Sequence, residues 1–325
     1  MNILIPSAGT RCLLMKYFRA RENGFDKVVA TDCSAYAPAL YQADAHYIVP
    51  RIKEPTYIPT LLEICRAEQI NVIVPLFEDE LALIAENRQL FLDNRILPVI
   101  SNAETIELCR DKLALYRKLR SLNIPCIETY DFDTERDLIS ELPLPLFMKE
   151  RCGAGSIGII KINNRPLLSA YAENSQSKLI VQPFIDGKQF DADFYVDVNS
   201  GEVISIFVKE KLRMKNGEAD KAQSLLDAKL FALVEDVARN IPFRGPIDMD
   251  IFEYEGEYYV LEINPRFGGG YPHAHECGVN FVKNIAANAR GEQLTPDIGN
   301  YEADQIMLKY TSLMMKSATE LTAGR

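Results

Sequence analysis

The sequence predicts an α/β domain followed by an α+β region. Three observations carry this. Over the first hundred residues, short apolar runs alternate with amphipathic helical stretches. Near residues 100–110 that alternation gives way to many strand-like runs joined by turns. The chain has 325 residues, 47% hydrophobic and 25% charged, which allows two or three domains around ordinary globular cores.

Taken in order, residues 3–5 read as a short buried strand closed by Gly9, and 13–21 as a helix. Residues 28–31 form a second apolar strand ending at Asp32. Residues 57–68 have helical periodicity, 72–74 are a strand, 80–92 a helix and 97–100 a strand. Strands alternating with helices imply a parallel sheet covered on both faces, a Rossmann-like unit. Its first turn, Ser7-Ala8-Gly9-Thr10-Arg11, has one glycine where dinucleotide binding needs G-x-G-x-x-G, so NAD and FAD are not expected there.

Residues 104–122 read as one long amphipathic helix, with Ile106, Leu113, Leu115 and Leu119 among its apolar positions and Pro125 beyond its end. Strands are then expected at 144–149, 157–162, 178–184, 192–198 and 203–208, the last two joined by an Asn199-Ser200-Gly201 turn. The polar run 213–224 reads as a mobile loop and 227–240 as a helix. Residues 248–254 and 257–264 form a hairpin around Glu255-Gly256. Residues 286–289 sit in a last helical stretch.

Composition excludes several classes. With 36 Lys+Arg against 46 Asp+Glu the net charge is −10, which argues against a nucleic-acid binder. No run of ~18 apolar residues predicts a membrane span, and the N-terminal run lacks the basic leader of a signal peptide. The seven cysteines are scattered without a C-x-x-C pair, as expected of reduced thiols in a cytoplasmic protein. With three histidines, of which only His273 and His275 are close, a His-rich metal site is not expected.

Three motifs carry chemistry. In residues 149–161, Gly153, Gly155 and Gly158 fit G-x-G-x-x-G, but a strand follows the loop. The segment is therefore strand–loop–strand: either a flap whose backbone N–H groups approach phosphate, with Lys149 leading in, or a plain hairpin. Asp248 and Asp250 are two apart on one strand, as are Glu262 and Asn264 on the next, so all four share a face of the hairpin. Such a set either binds a hard cation, Mg²⁺ or Mn²⁺, or is a solvated acidic edge. Arg266 follows, able to hold a phosphate bidentately. Lys209, Lys211, Arg213 and Lys215 alternate, giving one cationic face. That face is either an anion site or edge protection.

These elements, in this order, resemble the ATP-grasp superfamily, above all its carbamoyl-phosphate-synthase-like and biotin-carboxylase-like branch. The resemblance covers nearly the whole chain. Its most specific motif is LEINPRFGGG at 261–270, preceded by GPIDMD at 245–250. It implies a Rossmann-like domain at 1–104, a first ATP-grasp lobe with a glycine-rich flap at 105–185, and a second lobe with the metal site and C-terminal segment at 186–325. By the same resemblance, Lys112 and Lys149 are the two ATP lysines, and Gly153, Gly155, Ser156 and Gly158 belong to the phosphate-covering flap. Gln182, Pro183, Phe184, Ile185 and Gln189 belong to the segment that takes the adenine and ribose; the two glutamines stand where family members often carry Glu. Asp250, Glu262 and Asn264 would hold two Mg²⁺. Arg266 would stabilise the transferred phosphoryl group, with Lys209 or Arg213 on the γ-phosphate or the substrate carboxylate. His273 and His275 are candidates for an acceptor pocket along 268–278.

The implied reaction has two steps. ATP phosphorylates a carboxylate to an acyl phosphate, and an amine or ammonia then displaces phosphate. Small-molecule substrates, no nucleic acid, no membrane, and a homodimer or partner subunit are the expected associations. Two alternatives share the motifs: an ATP-binding subunit without its own turnover, and a small-molecule kinase.

Overall fold

The computed structural model describes residues 1–153, 159–215 and 217–322. Strands β1 (Asn2–Ile5), β2 (Lys27–Asp32), β3 (Ala45–Ile48), β4 (Ile70–Ile73) and β5 (Leu97–Pro98) form one sheet in the order β3-β2-β1-β4-β5. Every neighbouring pair is parallel, as the strand–helix alternation requires. Ile3, Leu4 and Ile5 are wholly buried because parallel sheets are covered on both faces. One face packs on α2 (Tyr57–Ala67) and α3 (Glu78–Glu86) through Leu61 and Ile84. The other packs on α1 (Cys12–Arg19). The helix expected at 80–92 is interrupted: α3 stops at Asn87, whose side-chain amide donates to the Leu83 carbonyl at 2.9 Å, and α4 (Arg88–Asp93) begins beyond it.

Where β1 runs out into the Ser7 turn, a carboxylate is sealed in. Glu80 is fully buried, and its Oε1 accepts hydrogen bonds from Ser7 Oγ at 2.9 Å and from the Tyr57 hydroxyl. Burial pushes its pKa from 4.5 up to about 7, against the pull of both hydroxyls. The folded chain therefore holds this proton more tightly than the unfolded chain, and stability falls as pH rises between those two values. Glu80→Gln, which mimics the protonated form, is expected to remove a loss on the order of 1–3 kcal/mol. Urea unfolding at pH 5 and pH 8 checks this; a wild-type-to-variant difference that does not grow with pH defeats it.

The long helix expected at 104–122 is two helices, α5 (Ala103–Arg110) and α6 (Lys112–Ser121). Asp111 between them is extended, with φ −92° and ψ 96°, and its carboxylate accepts from the N–H groups of Leu113 and Ala114. It is an N-cap, and capping forces the chain out of helix at that residue. Arg151 pairs with the same carboxylate, and the Lys112 N–H donates to the Arg151 carbonyl at 3.1 Å. The break thus fixes Lys112 against the end of the glycine-bearing strand.

A four-stranded antiparallel sheet follows: β6 (Tyr130–Asp131), β7 (Leu146–Glu150), β8 (Ile160–Ile162) and β9 (Leu179–Pro183), ordered β6-β9-β7-β8. Helices α7 (Arg136–Glu141) and α8 (Arg165–Asn174) accompany it. The last sheet contains β10 (Lys188–Val196), β11 (Val203–Lys215), β12 (Glu218–Leu225), β13 (Gly245–Tyr254), β14 (Glu257–Asn264) and β15 (Ile306–Leu308), ordered β14-β13-β10-β11-β12-β15. Helix α9 (Ala228–Asn240) packs through Leu230, Val234 and Val237 on Phe194 and Ile206 of this sheet.

The expected loop at 213–224 is instead the end of β11 and most of β12. Its polar composition hides an inward set, Ala219, Ala222 and Ser224, all buried, while Glu218 pairs outward with Lys309 at 2.9 Å. Helices α10 (Tyr271–Glu276) and α11 (Phe281–Ala289) return to the first sheet. Phe267, Phe281, Val282 and Ile285 share one core with Ile3, Phe18, Phe25 and Val28. Among the described residues no helix is long and apolar enough to cross a membrane.

Candidate active site

Four adjacent strands present their charges on one face of the last sheet. Across β10, β13 and β14, Asp191 lies opposite Asp250, which lies opposite Glu262. One step along, Asp193 lies opposite Asp248, which lies opposite Asn264. Lys209 of β11 is opposite Asp191. Directly paired residues share a face, so the ladder is a consequence of register alone.

Two lysines compensate the inner part. Lys209 is wholly buried, bonded to Asp193 Oδ2, with Asp191 Oδ2 at 3.6 Å. Lys211 Nζ lies 2.7 Å from Asp191 Oδ1 and also bonds Asp250 Oδ1. At Asp191 burial pushes the carboxyl up, but Lys211 and Lys209 outweigh it and hold it at about 2. At Asp248 burial, then Asp191 and Asp193, raise the carboxyl to about 7. Burial also raises Asp250 and Asp193. Asp191, Asp193 and Asp248 are buried and Asp250 is partly so, and Lys209, Lys211 and Arg266 are the cations that meet them.

Two more lysines reach this face: Lys112 from α6, whose Leu115 and Leu119 pack in the core of the last sheet and not in the expected first lobe, and Lys149 from β7 of the four-stranded sheet. Lys112 Nζ and Lys149 Nζ stand 3.9 and 4.0 Å from Glu262 Oε2. Lys149 is 6% exposed, and burial lowers its pKa against the pull of Glu262. Lys112 also donates to the Gly153 carbonyl, at the start of the glycine-rich loop. Gly155, Ser156 and Gly158 lie outside the described residues. Gln182 and Pro183 end β9, and Phe184 and Ile185 begin the crossing to β10. Gln182 donates to Thr129 Oγ1 at 2.8 Å, and the Phe184 ring carries Lys161 Nζ at 3.4 Å from its centroid. Gln189 lies on β10 opposite Phe252.

Arg266 is gripped from both domains: Nη1 is 3.5 Å from Asp248 Oδ2, and Nη2 is 3.3 Å from Glu78 Oε1 in the first turn of α3. Arg11, from the Ser7–Arg11 turn, reaches Glu218 at 3.7 Å. Gly268, Gly269 and Gly270 pass directly over these groups. A Cβ at 268 would lie 2.5 Å from Asp248 Oδ1, one at 269 would overlap the Glu218 carboxylate, and one at 270 would lie 2.8 Å from Lys209 Cε. A side chain at 268 or 270 would have to displace a buried, ion-paired group, whereas one at 269 would have to displace the end of the half-exposed Glu218 side chain.

The four alternating cations do not form one face. The register of β11 against β12 shifts between Lys211 and Arg213. Lys209 and Lys211 turn inward and are neutralised, whereas the Arg213 side chain is 70% exposed and lies 3.8 Å from Asp220. The structure therefore separates Arg213 from Lys209. His273 is buried with Nε2 3.0 Å from the Gln305 carbonyl, and burial lowers its pKa to about 4. His275 stacks on Tyr17 at 3.7 Å. Both rings tie segments together.

Asp191 and Asp193 were missed by sequence reasoning, although Phe190-Asp191-Ala192-Asp193-Phe194 carries the same two-residue spacing as Asp248 and Asp250. Glu78, Arg11 and Glu218 had no such signal. Among the described residues no three Asp, Glu, His or Cys side chains converge on one point as a metal cage. Asp250, Glu262 and the Asn264 amide are hard oxygen donors that fit Mg²⁺ as partial ligands, the usual habit of that ion.

Residues 109–270 match the family model of the ATP-grasp domain, and residues 3–100 that of the PylC-like N-terminal domain. The chain belongs to the ATP-grasp superfamily. Among curated proteins it is similar to the carbamoyl phosphate synthase arginine-specific large chain of Geobacillus stearothermophilus, 23% identical over 66% of this chain and 21% of that one. It is 26% identical to the carbamoyl phosphate synthase large chain of Thermoplasma acidophilum, over 76% of this chain and 25% of that one. The chain thus spans about a quarter of the length of these relatives. Its fold is that of the biotin carboxylase domain of Hydrogenobacter thermophilus 2-oxoglutarate carboxylase, solved with MgADP and bicarbonate. The TM-score is 0.76 at 19% identity, covering 94% of this chain and 73% of that one. The N5-carboxyaminoimidazole synthetase of Staphylococcus aureus, solved with ADP, aligns with a TM-score of 0.74 at 20% identity, over 94% and 79%.

Proposed function

We propose that this chain is an ATP-dependent ligase that activates a carboxylate as an acyl phosphate and passes the acyl group to an amine or ammonia. The observation that carries this is the meeting of Lys112 and Lys149 with Glu262, beside Asp250, Asn264 and Arg266. Ammonium groups from α6 and from β7 meet hard oxygen donors of β13 and β14 at Glu262. Phosphoryl transfer needs positioning and charge neutralisation more than a covalent nucleophile.

In this reading Lys112 and Lys149 hold the phosphates, and residues 182–185, with Gln189, receive the adenosine. Glu262 and Asn264, with Asp250 beside them, would hold Mg²⁺ or Mn²⁺, which would neutralise phosphate charge when bound. Arg266, fixed between Asp248 and Glu78, steadies the phosphoryl group as its bond to ADP breaks and its bond to the carboxylate oxygen forms. The amine then attacks the acyl carbon, phosphate leaves, and the amine loses a proton. Arg11 of the first domain meets Glu218 of β12 close to Arg266 and Asp248.

A panel of carboxylate and amine pairs, read for ADP, inorganic phosphate and product mass, tests this. Turnover that releases phosphate only when both acid and amine are present is expected. A stable phosphorylated product would make the chain a kinase, and nucleotide binding without turnover on any pair would make it a binding subunit. Lys149→Ala is expected to weaken ATP at least about tenfold, some 1.4 kcal/mol; an unchanged Kd removes Lys149 from the site.

A further inference from the structure

Asp250 and Glu262 are cross-strand neighbours, yet their charges are met in different ways. The ammonium groups nearest Glu262, those of Lys112 and Lys149, stop at 3.9 and 4.0 Å, beyond hydrogen-bond distance. Its carboxylate is attracted but uncapped. Asp250 is bonded directly by Lys211, whose side chain is 5% exposed and whose Nζ also sits 2.7 Å from Asp191 Oδ1. Opposite Lys211, β12 presents Ala222, a small residue that leaves room for the inward lysine. We propose that Lys211 stands in for one of the two Mg²⁺ ions the superfamily resemblance implies, so that this chain carries one divalent cation per nucleotide, on Glu262 and Asn264.

The physics favours the lysine at Asp250. Its ammonium is tethered and is desolvated when the chain folds. Mg²⁺ sheds its water reluctantly, and at Asp250 it would have to expel a bonded cation. Displacing Lys211 would also strip Asp191 of its closest counter-charge in a buried site, a costly change. At Glu262 no bonded cation has to leave. Asn264 adds a neutral oxygen there, and phosphate oxygens and water can complete six ligands.

The inference rests on the nucleotide-site reading above, and the experiment separates the two. Mn²⁺ bound per chain is counted by electron paramagnetic resonance at saturating β,γ-methylene ATP. Wild type is expected to bind one Mn²⁺ with no Mn–Mn spin coupling. Lys211→Met is expected to bind two, with coupling, and Lys211→Arg one. Two ions in wild type, or one in Lys211→Met, overturns the role of Lys211. Should Lys211→Met fail to fold, Lys211→Gln, whose amide can still donate to Asp191, carries the same comparison. Absence of nucleotide-dependent Mn²⁺ binding in every form would instead remove the nucleotide site itself.

Discussion

Glu262→Gln is expected to lower Mg·ATP-dependent turnover by about 10²–10³-fold while the protein stays folded. Three interactions meet on this one carboxylate: it draws Lys112 of α6 and Lys149 of β7 and offers an oxygen to the cation. The amide keeps the shape but loses the charge that a divalent ion and two ammonium groups need. Stability should hardly change, because the side chain is 28% exposed and makes no bonded ion pair in the free chain. Steady-state rates with any turned-over pair, alongside a thermal melt, check both halves. Turnover within twofold of wild type would exclude the metal-site assignment, and a collapsed melt would mean that Glu262 is structural.

Lys209→Met should do the opposite, costing about 3–5 kcal/mol of stability. Lys209 is wholly buried, bonded to Asp193 and close to Asp191, and Asp193 Oδ1 already lacks a partner. Methionine fills the volume and leaves two buried carboxylates facing each other with only Lys211 to compensate them. Adding Asp193→Asn should recover part of the loss, since the penalty lies in unpaired charge. Chemical denaturation of the single and double variants reads this directly. A loss below about 1 kcal/mol, with turnover abolished, would move Lys209 from the foundation of the site to its chemistry.

These expectations rest on elements of unequal legibility. The Asp248/Asp250 and Glu262/Asn264 hairpin could be read because strand period and a two-residue turn act over short distances. Asp191 and Asp193 join the same face from a strand some sixty residues earlier, and only long-range register brings them there. The break at Asp111 was legible in principle, since an N-cap residue stood before Leu113. Apolar periodicity running through both helices concealed it. The hairpin at 213–224 was obscured by its charges, which pair across strands. The parallel first sheet needed only its alternation of apolar runs. The closure of that sheet by Phe267, Phe281 and Ile285 had no local trace, because those residues look like any apolar segment until their partners are known.

That shared core, with the Glu78–Arg266 pair at its rim, bears on how such chains can change over time. Two recognisable modules lie end to end in the sequence, but neither owns a complete interior. The second module on its own would present the aromatic rings of Phe267 and Phe281 to water and leave its key guanidinium with one counter-charge instead of two. Shuffling such modules between lineages would therefore succeed only in pairs. A new acceptor specificity would have to arise by substitution within this fused architecture, with each change on one side of the seam answered on the other.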